Sequence, residues 1–115
     1  MHDANCLFCK IIANEIPAEK VHEDDQCIVI KDISPQAPVH LLVIPKKHIP
    51  TTNAITETDK SLIGHLQAIG VACAKEAGIA ESGYRMLFNC NRDAGQEVFH
   101  IHCHILGGKA LPALG

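Results

Sequence analysis

The sequence predicts an α+β domain built on an antiparallel sheet, and three observations carry that prediction. Strand-like runs lie in pairs on either side of one long amphipathic segment, giving the order β-β-α-β-β. No βαβ repetition occurs, so nothing calls for a parallel sheet. The chain has 115 residues, 47% of them hydrophobic, enough for one core and too few for two domains of ordinary size, so residues 1–115 read as a single domain.

Each element has its own local signal. Lys10 to Asn14 is a short amphipathic segment stopped near Pro17. Cys27-Ile28-Val29-Ile30-Lys31 is rich in β-branched residues and ends at the turn-forming Asp32-Ile33-Ser34-Pro35. His40-Leu41-Leu42-Val43-Ile44 repeats that composition and is closed by Pro45. Between Thr56 and Gly78, Leu62, Leu66, Ile69 and Cys73 recur at helical spacing, with Thr56 and Asp59 placed as a capping pair and Gly78 as a stop. Tyr84 to Asn89 and Val98 to Leu106 read as two further strands, separated by the polar, Gly-bearing loop Cys90 to Gln96. Repeats, low-complexity tracts and linkers are absent.

Charge and composition exclude several classes of function. A net charge of -3 and a pI near 6.2 remove the cationic surface that nucleic-acid binding requires. A small anion needs only a few local donors and stays allowed. Met1 to Lys10 lacks the basic patch and apolar run of a signal peptide. The longest candidate membrane stretch, Val39 to Pro45, is short and interrupted by His40, so a soluble cytoplasmic protein without a membrane partner is expected. Six cysteines, at 6, 9, 27, 73, 90 and 103, then read as thiols or metal ligands rather than disulfides.

The chemistry concentrates in His100-Ile101-His102-Cys103-His104. On a strand, side chains alternate, so the three imidazoles face one way while Ile101 and Cys103 face the other. Three polar rings in a row are costly to bury without partners, and satisfied core histidines account for one such residue more readily than for three. The run could hold a catalytic metal or supply a nucleophile with supporting donors. The outer Cα atoms stand about 13 Å apart, which strains convergence on one ion. Phosphorus chemistry suits the run better, because a neutral imidazole is a competent nucleophile near pH 7 and its neighbours can steady a phosphoryl group. Cys6-Leu7-Phe8-Cys9 is a second motif; its CxxC spacing serves half a zinc site, a redox dithiol or two unrelated thiols.

The histidine run matches the His-φ-His-φ-His-φ-φ pattern of the histidine triad (HIT) family, where φ is apolar. Asp32 to Pro38, His40, Val43 to Ile49, Gly83-Tyr84-Arg85, Asn89 and Gly95-Gln96 also resemble the family's Hint, or histidine triad nucleotide-binding, branch. The resemblance covers nearly the whole chain. It implies a HIT-like α+β fold: an antiparallel sheet of about five strands, one long helix and a short N-terminal helix. It further implies a hydrolase similar to adenosine 5'-monophosphoramidase, acting on a purine nucleotide or nucleoside phosphoramidate and working as a homodimer through helix 56–78 and strand 84–89.

Residue by residue, the resemblance makes His102 the nucleophile that forms a nucleotidyl-histidine intermediate. It makes His104 a donor to the α-phosphate and His40 a supporting histidine. The carbonyl of His100 would hold the other ring nitrogen of His102. Asp32 corresponds to the acceptor of the ribose hydroxyls. Ile33, Phe8, Ile11 and Leu42 correspond to a purine slot, and Asn89, Gln96, Glu97 and Val98 to phosphate contacts. Glu97 stands where some members carry serine, and the chain stops at Gly115 without the longer tail of some relatives, which bears on leaving-group preference. Members with the CxxC bind a structural zinc, here through Cys6, Cys9, His48 and His100. Two other functions are to be separated from the phosphoramidase: a dinucleoside polyphosphate hydrolase or nucleotidyl transferase of the same fold, and a nucleotide-binding scaffold whose catalysis is incidental.

Overall fold

Register places every functional strand in this molecule. The computed structural model describes residues 3–114; Met1, His2 and Gly115, and with them the start of the amino-terminal reading and the end of the chain, lie outside it. Helix α1 spans Leu7–Ile12, and strands β1 Lys20–Glu23, β2 Cys27–Lys31 and β3 Val39–Pro45 follow. Helix α2, Lys60–Glu76, leads to β4, Tyr84–Leu87, and β5, Cys103–Gly107. The five strands form one antiparallel sheet in the order β1-β2-β3-β5-β4. The α+β class and the five-stranded sheet with one long and one short helix are as expected.

Helix α2 shows how local chemistry fixes an element. The main-chain N–H of Thr56 donates to Asp59 Oδ2 at 2.9 Å, closing a capping box over a 3₁₀ turn, Glu57–Asp59, from which α2 starts. At the other end Gly78 takes a left-handed φ of 79°, the N–H of Gly78 donates to the Lys75 carbonyl and that of Ile79 to the Ala74 carbonyl. These two bonds satisfy carbonyls the helix would otherwise leave open. Buried Leu66 and Ala74 press on Val43, Cys103 and Ile105 of the sheet. Gly70 lets the helix come close: a Cβ there would stand 2.6 Å from Met86 Cε and 3.0 Å from Ile105 Cδ1.

The opposite face of the sheet carries α1. Phe8, Cys9 and Ile11 pack on Ile28, Ile30, Leu42 and Ile44. Alternation along β3 and β5 therefore sends Leu41, Val43, Cys103 and Ile105 to the α2 side and leaves His40, Leu42 and His104 on the α1 side.

Three expectations of extent are corrected and one strand is added. The N-terminal helix lies three residues earlier than Lys10 to Asn14, because Cys6 caps it by accepting from the Cys9 N–H at 3.4 Å. Strand β1 had no residue-level signal: Lys-Val-His-Glu is an edge strand with no apolar stripe. Strand β4 stops at Leu87, opposite His104, rather than at Asn89. The strand expected from Val98 to Leu106 is regular only over Cys103–Gly107. Beyond Val43↔Cys103, residues 98–102 make no strand pairing although β3 continues to Pro45, and the Ile101 N–H donating to the Ile49 carbonyl at 2.8 Å holds them in place. That irregular approach lets His100 turn to a different task from its neighbours.

Candidate active site and candidate metal centre

His102 sits at the floor of a cleft of about 430 Å³ between α1, the Asp32 turn and the loop before β5. Its Nδ1 lies 2.8 Å from the His100 carbonyl. A carbonyl only accepts, so Nδ1 carries the ring proton and Nε2 is left with its lone pair. Burial pushes the imidazole below its ordinary range, so the ring is neutral near pH 7. Phe8 stands edge-on to it at 5.0 Å between ring centres and limits its rotation.

His104 is oriented by a chain of proton assignments. The main-chain N–H of Gln36 donates to His40 Nδ1 at 3.0 Å, which places the His40 proton on Nε2. Nε2 then donates to His104 Nδ1 at 2.9 Å, so His104 keeps its own proton on Nε2. Burial, reinforced by His102 and His40, pushes His104 down to about 4, and burial also lowers His40. The two rings therefore present complementary groups: a lone pair on His102 and a donor on His104, with ring centres 4.9 Å apart. Asp32 lies beside them, its Oδ1 accepting from the Ser34 N–H at 2.8 Å and its Oδ2 3.4 Å from His40 Nε2. A carboxylate has about four acceptor positions, so two such contacts leave capacity for a ligand's hydroxyls.

The remaining expected contacts all line the same cleft. Phe8, Ile11 and Leu42 supply apolar lining, against which Val98 packs, and Asn89, Gln96 and Glu97 line the cleft with them. Ile33 stands at the mouth, 98% exposed. Gln96 has a further use: its Oε1 accepts from the Asn91 N–H at 2.8 Å, and its Nε2 donates to the carbonyls of Pro50 and Val98 at 2.8 and 3.0 Å. Its side chain thus braces the loop. Ile16, Pro17, Ala18 and Ile30 also line the cleft, and sequence reading did not single them out. Ile16 to Ala18 belong to an irregular connection without periodicity, and the Gln36 donor is main chain, which no side-chain pattern reveals.

His100, fully buried, leaves this site and joins another. Its Nε2 lies 2.7 Å from the Pro45 carbonyl, so Nε2 carries the proton and Nδ1 the lone pair. That Nδ1 stands 3.3 Å from Cys6 Sγ, 3.6 Å from Cys9 Sγ and 3.1 Å from His48 Nδ1, and His48 Nδ1 is 3.5 Å from Cys9 Sγ. The ligand atoms of Cys6, Cys9, His48 and His100 all lie within 4.8 Å of one another. A zinc tetrahedron with bonds of about 2.05 Å to nitrogen and 2.3 Å to sulfur has edges of about 3.3 Å (N to N) and 3.6 Å (N to S). The donor set therefore fits a closed Cys2His2 site, and the Pro45 carbonyl orients His100 as an outer partner would. This group could bind a metal.

Comparison with known proteins agrees with this geometry. The family model described as "Scavenger mRNA decapping enzyme C-term binding" matches residues 5–112. A purine nucleoside phosphoramidase of Escherichia coli is 47% identical over 105 residues, which are 91% of this chain and 88% of that protein. Two solved structures superpose closely. A HIT family hydrolase from Legionella pneumophila has TM-score 0.93 and 49% identity, with 94% of this chain and 96% of that one covered. A histidine triad protein from Clostridium difficile has TM-score 0.96 and 43% identity, with both chains fully covered. Nearly the whole length is matched by sequence and by structure, and the chain belongs to the histidine triad family, as a member of the Hint type.

Proposed function

We propose that this protein cleaves purine nucleoside phosphoramidates, with His102 as nucleophile. That it is a nucleotide hydrolase of the histidine triad family rests on the relatives named above. One observation supports the finer reading: the His100 carbonyl binds His102 Nδ1–H and leaves the Nε2 lone pair to the cleft. In this reading Nε2 attacks the α-phosphorus, a P–N bond to the imidazole forms and the bond to the leaving amine breaks. The amine departs as a neutral molecule by taking a proton from solvent, which the hydrolysis step later returns. Water then cleaves the nucleotidyl-histidine, which restores the imidazole and releases the nucleoside monophosphate.

His104 donates its Nε2–H to an α-phosphate oxygen through both steps, and His40 holds it in that tautomer. Asp32 accepts the ribose hydroxyls. Phe8, Ile11 and Leu42 receive the purine face, and Ile33, exposed at the mouth, is covered by it. Asn89 and the main chain of Gln96, Glu97 and Val98 approach the phosphate side.

The same reading gives Cys6, Cys9, His48 and His100 a structural zinc. Such an ion cross-links the N-terminal segment to the approach of β5 and stays apart from the substrate. The edge position of β4 supports pairing of two copies along β4 and α2. No helix among the described residues is long and apolar enough to cross a membrane.

The test is a rapid-quench reaction with an adenosine phosphoramidate, analysed by mass spectrometry of the peptides. A nucleotidyl adduct on the peptide carrying His102, formed and lost at rates compatible with turnover, is expected. Turnover with no adduct at any time point, or an adduct on another residue, contradicts the mechanism.

A further inference from the structure

A second group of ligand-type side chains lies on the α2 face of the sheet, away from the cleft. Asp24, in the turn between β1 and β2, is its centre. Its Oδ1 accepts from the main-chain N–H of Gln26 at 2.7 Å and of Cys27 at 2.9 Å, which fixes the carboxylate to the backbone. Its Oδ2 is within 2.7 Å of His22 Nε2, 2.8 Å of His65 Nε2 and 3.6 Å of the Cys27 thiol. The ligand atoms of His22, Asp24 and Cys27 lie within 4.8 Å of one another, and His65 reaches the same oxygen from α2. Nothing in the phosphoryl chemistry uses these residues.

We propose that His22, Asp24, Cys27 and His65 form a second binding site for a divalent transition-metal ion of the zinc class, tying the β1–β2 hairpin to α2. The donor set is of the kind such ions accept: two imidazoles, a carboxylate and a thiolate. One carboxylate oxygen now carries three contacts where a cation would share the load. The thiol distance of 3.6 Å is already near the edge of a tetrahedron, about 3.5 Å. Both nitrogens sit at hydrogen-bond distance from Asp24 Oδ2 and must retreat by about half an ångström to match an edge of about 3.3 Å, and His65, which stands outside the group of three mutually close ligand atoms, must also swing toward His22 and Cys27. They can do so, because the His22 and His65 side chains are 31% and 28% exposed and face solvent on one side.

The proton balance is simple. Each neutral imidazole moves its ring proton from Nε2 to Nδ1 and offers the Nε2 lone pair. Cys27, whose burial beside Asp24 pushes it up to about 12, releases one proton to solvent as it ligates. No electron changes hands. The Asp24 carboxylate and Cys27 thiolate then neutralise the divalent ion, and the nearby Lys46 ammonium is already paired with Glu23 at 2.9 Å.

The experiment uses the full chain as purified, dialysed against micromolar Zn²⁺ and then assayed for metal by elemental analysis. The unaltered protein should hold one ion per chain more than His22→Gln and His65→Gln. Glutamine keeps a hydrogen bond to Asp24 but is a poor ligand. Affinity for that extra ion should fall by about tenfold or more in each variant, and, once the Cys6 group is loaded, further Zn²⁺ should raise the thermal midpoint of the unaltered protein only. Cys9→Ser should retain the extra ion, which separates this site from the Cys6 group. Equal metal content in the unaltered chain and both variants overturns the proposal. Should a variant fail to fold, Ni²⁺ broadening of ring-proton resonances in the unaltered chain decides: it must affect His22 and His65, and broadening confined to other histidines overturns the site.

Discussion

His100 and His102 are two positions apart on one segment, share a residue type and do opposite things. His100 hands its Nε2–H to the Pro45 carbonyl and turns Nδ1 into a closed, buried group of cysteines and histidine. His102 hands its Nδ1–H to the His100 carbonyl and turns Nε2 into an open cleft. In each case a main-chain carbonyl, not the ring's own chemistry, decides which nitrogen keeps a lone pair. The difference teaches that a histidine's function here is set by its acceptor. In the function proposed above, the acceptor at the end of β3 leaves His100 Nδ1 for a metal, and the acceptor in the bend before β5 leaves His102 Nε2 for phosphorus.

The largest expected effect removes the open-cleft partner. His102→Ala should lower turnover of an adenosine phosphoramidate by at least about 10³-fold, while nucleotide affinity stays within about tenfold, because the purine and ribose contacts remain. Steady-state kinetics beside equilibrium binding check this, and near-normal turnover would refute the assignment.

Breaking the closed partner should act on stability instead. Cys9→Ser, or a strong chelator, is expected to lower unfolding free energy by on the order of 4 kcal/mol, the range in which loss of a metal falls. Urea unfolding with and without chelator measures it. Added zinc should not raise turnover of fully loaded protein, and an acceleration would place the ion in the reaction.

A smaller effect sharpens the tautomer argument. His40→Asn removes the donor that keeps the His104 proton on Nε2, so kcat should fall by about 10-fold to 100-fold with KM little changed. A change confined to KM would instead make His40 a ligand-binding residue.

The smallest effect lies outside both groups and reports the scaffold alone. A hydrogen bond from Lys47, and then the Thr56 N–H, hold Asp59 below the usual carboxylate range. A lowered carboxylate pKa stabilises the fold above its unfolded value of about 3.9, and that contribution disappears as pH falls through the folded value. Asp59→Asn should thus unfold at lower temperature than the unaltered protein at neutral pH, with the gap closing below about pH 4. A gap unchanged from pH 7 to pH 3 in a calorimetric series would show that the charge does not matter.

The sequence by itself determined the elements whose signal is local. The apolar runs of β2 and β3, the Thr56–Asp59 box and the Gly78 stop were legible because each depends on neighbours a few residues away. So was the alternation that puts His102 and His104 on one face with Cys103 and Ile105 on the other, but His100, expected on the same face, is turned away by the irregular approach to β5. Strand β1 was invisible because an edge strand of Lys, Val, His and Glu buries no continuous stripe. Only the tertiary structure decided which ring nitrogen is free on each histidine. The deciding acceptors, the Pro45 and His100 carbonyls, and the deciding donor, the Gln36 N–H, are main-chain groups that every sequence possesses. It likewise decided that His65 meets Asp24 across 41 residues of chain, a juxtaposition that packing of α2 against the sheet creates and no spacing encodes.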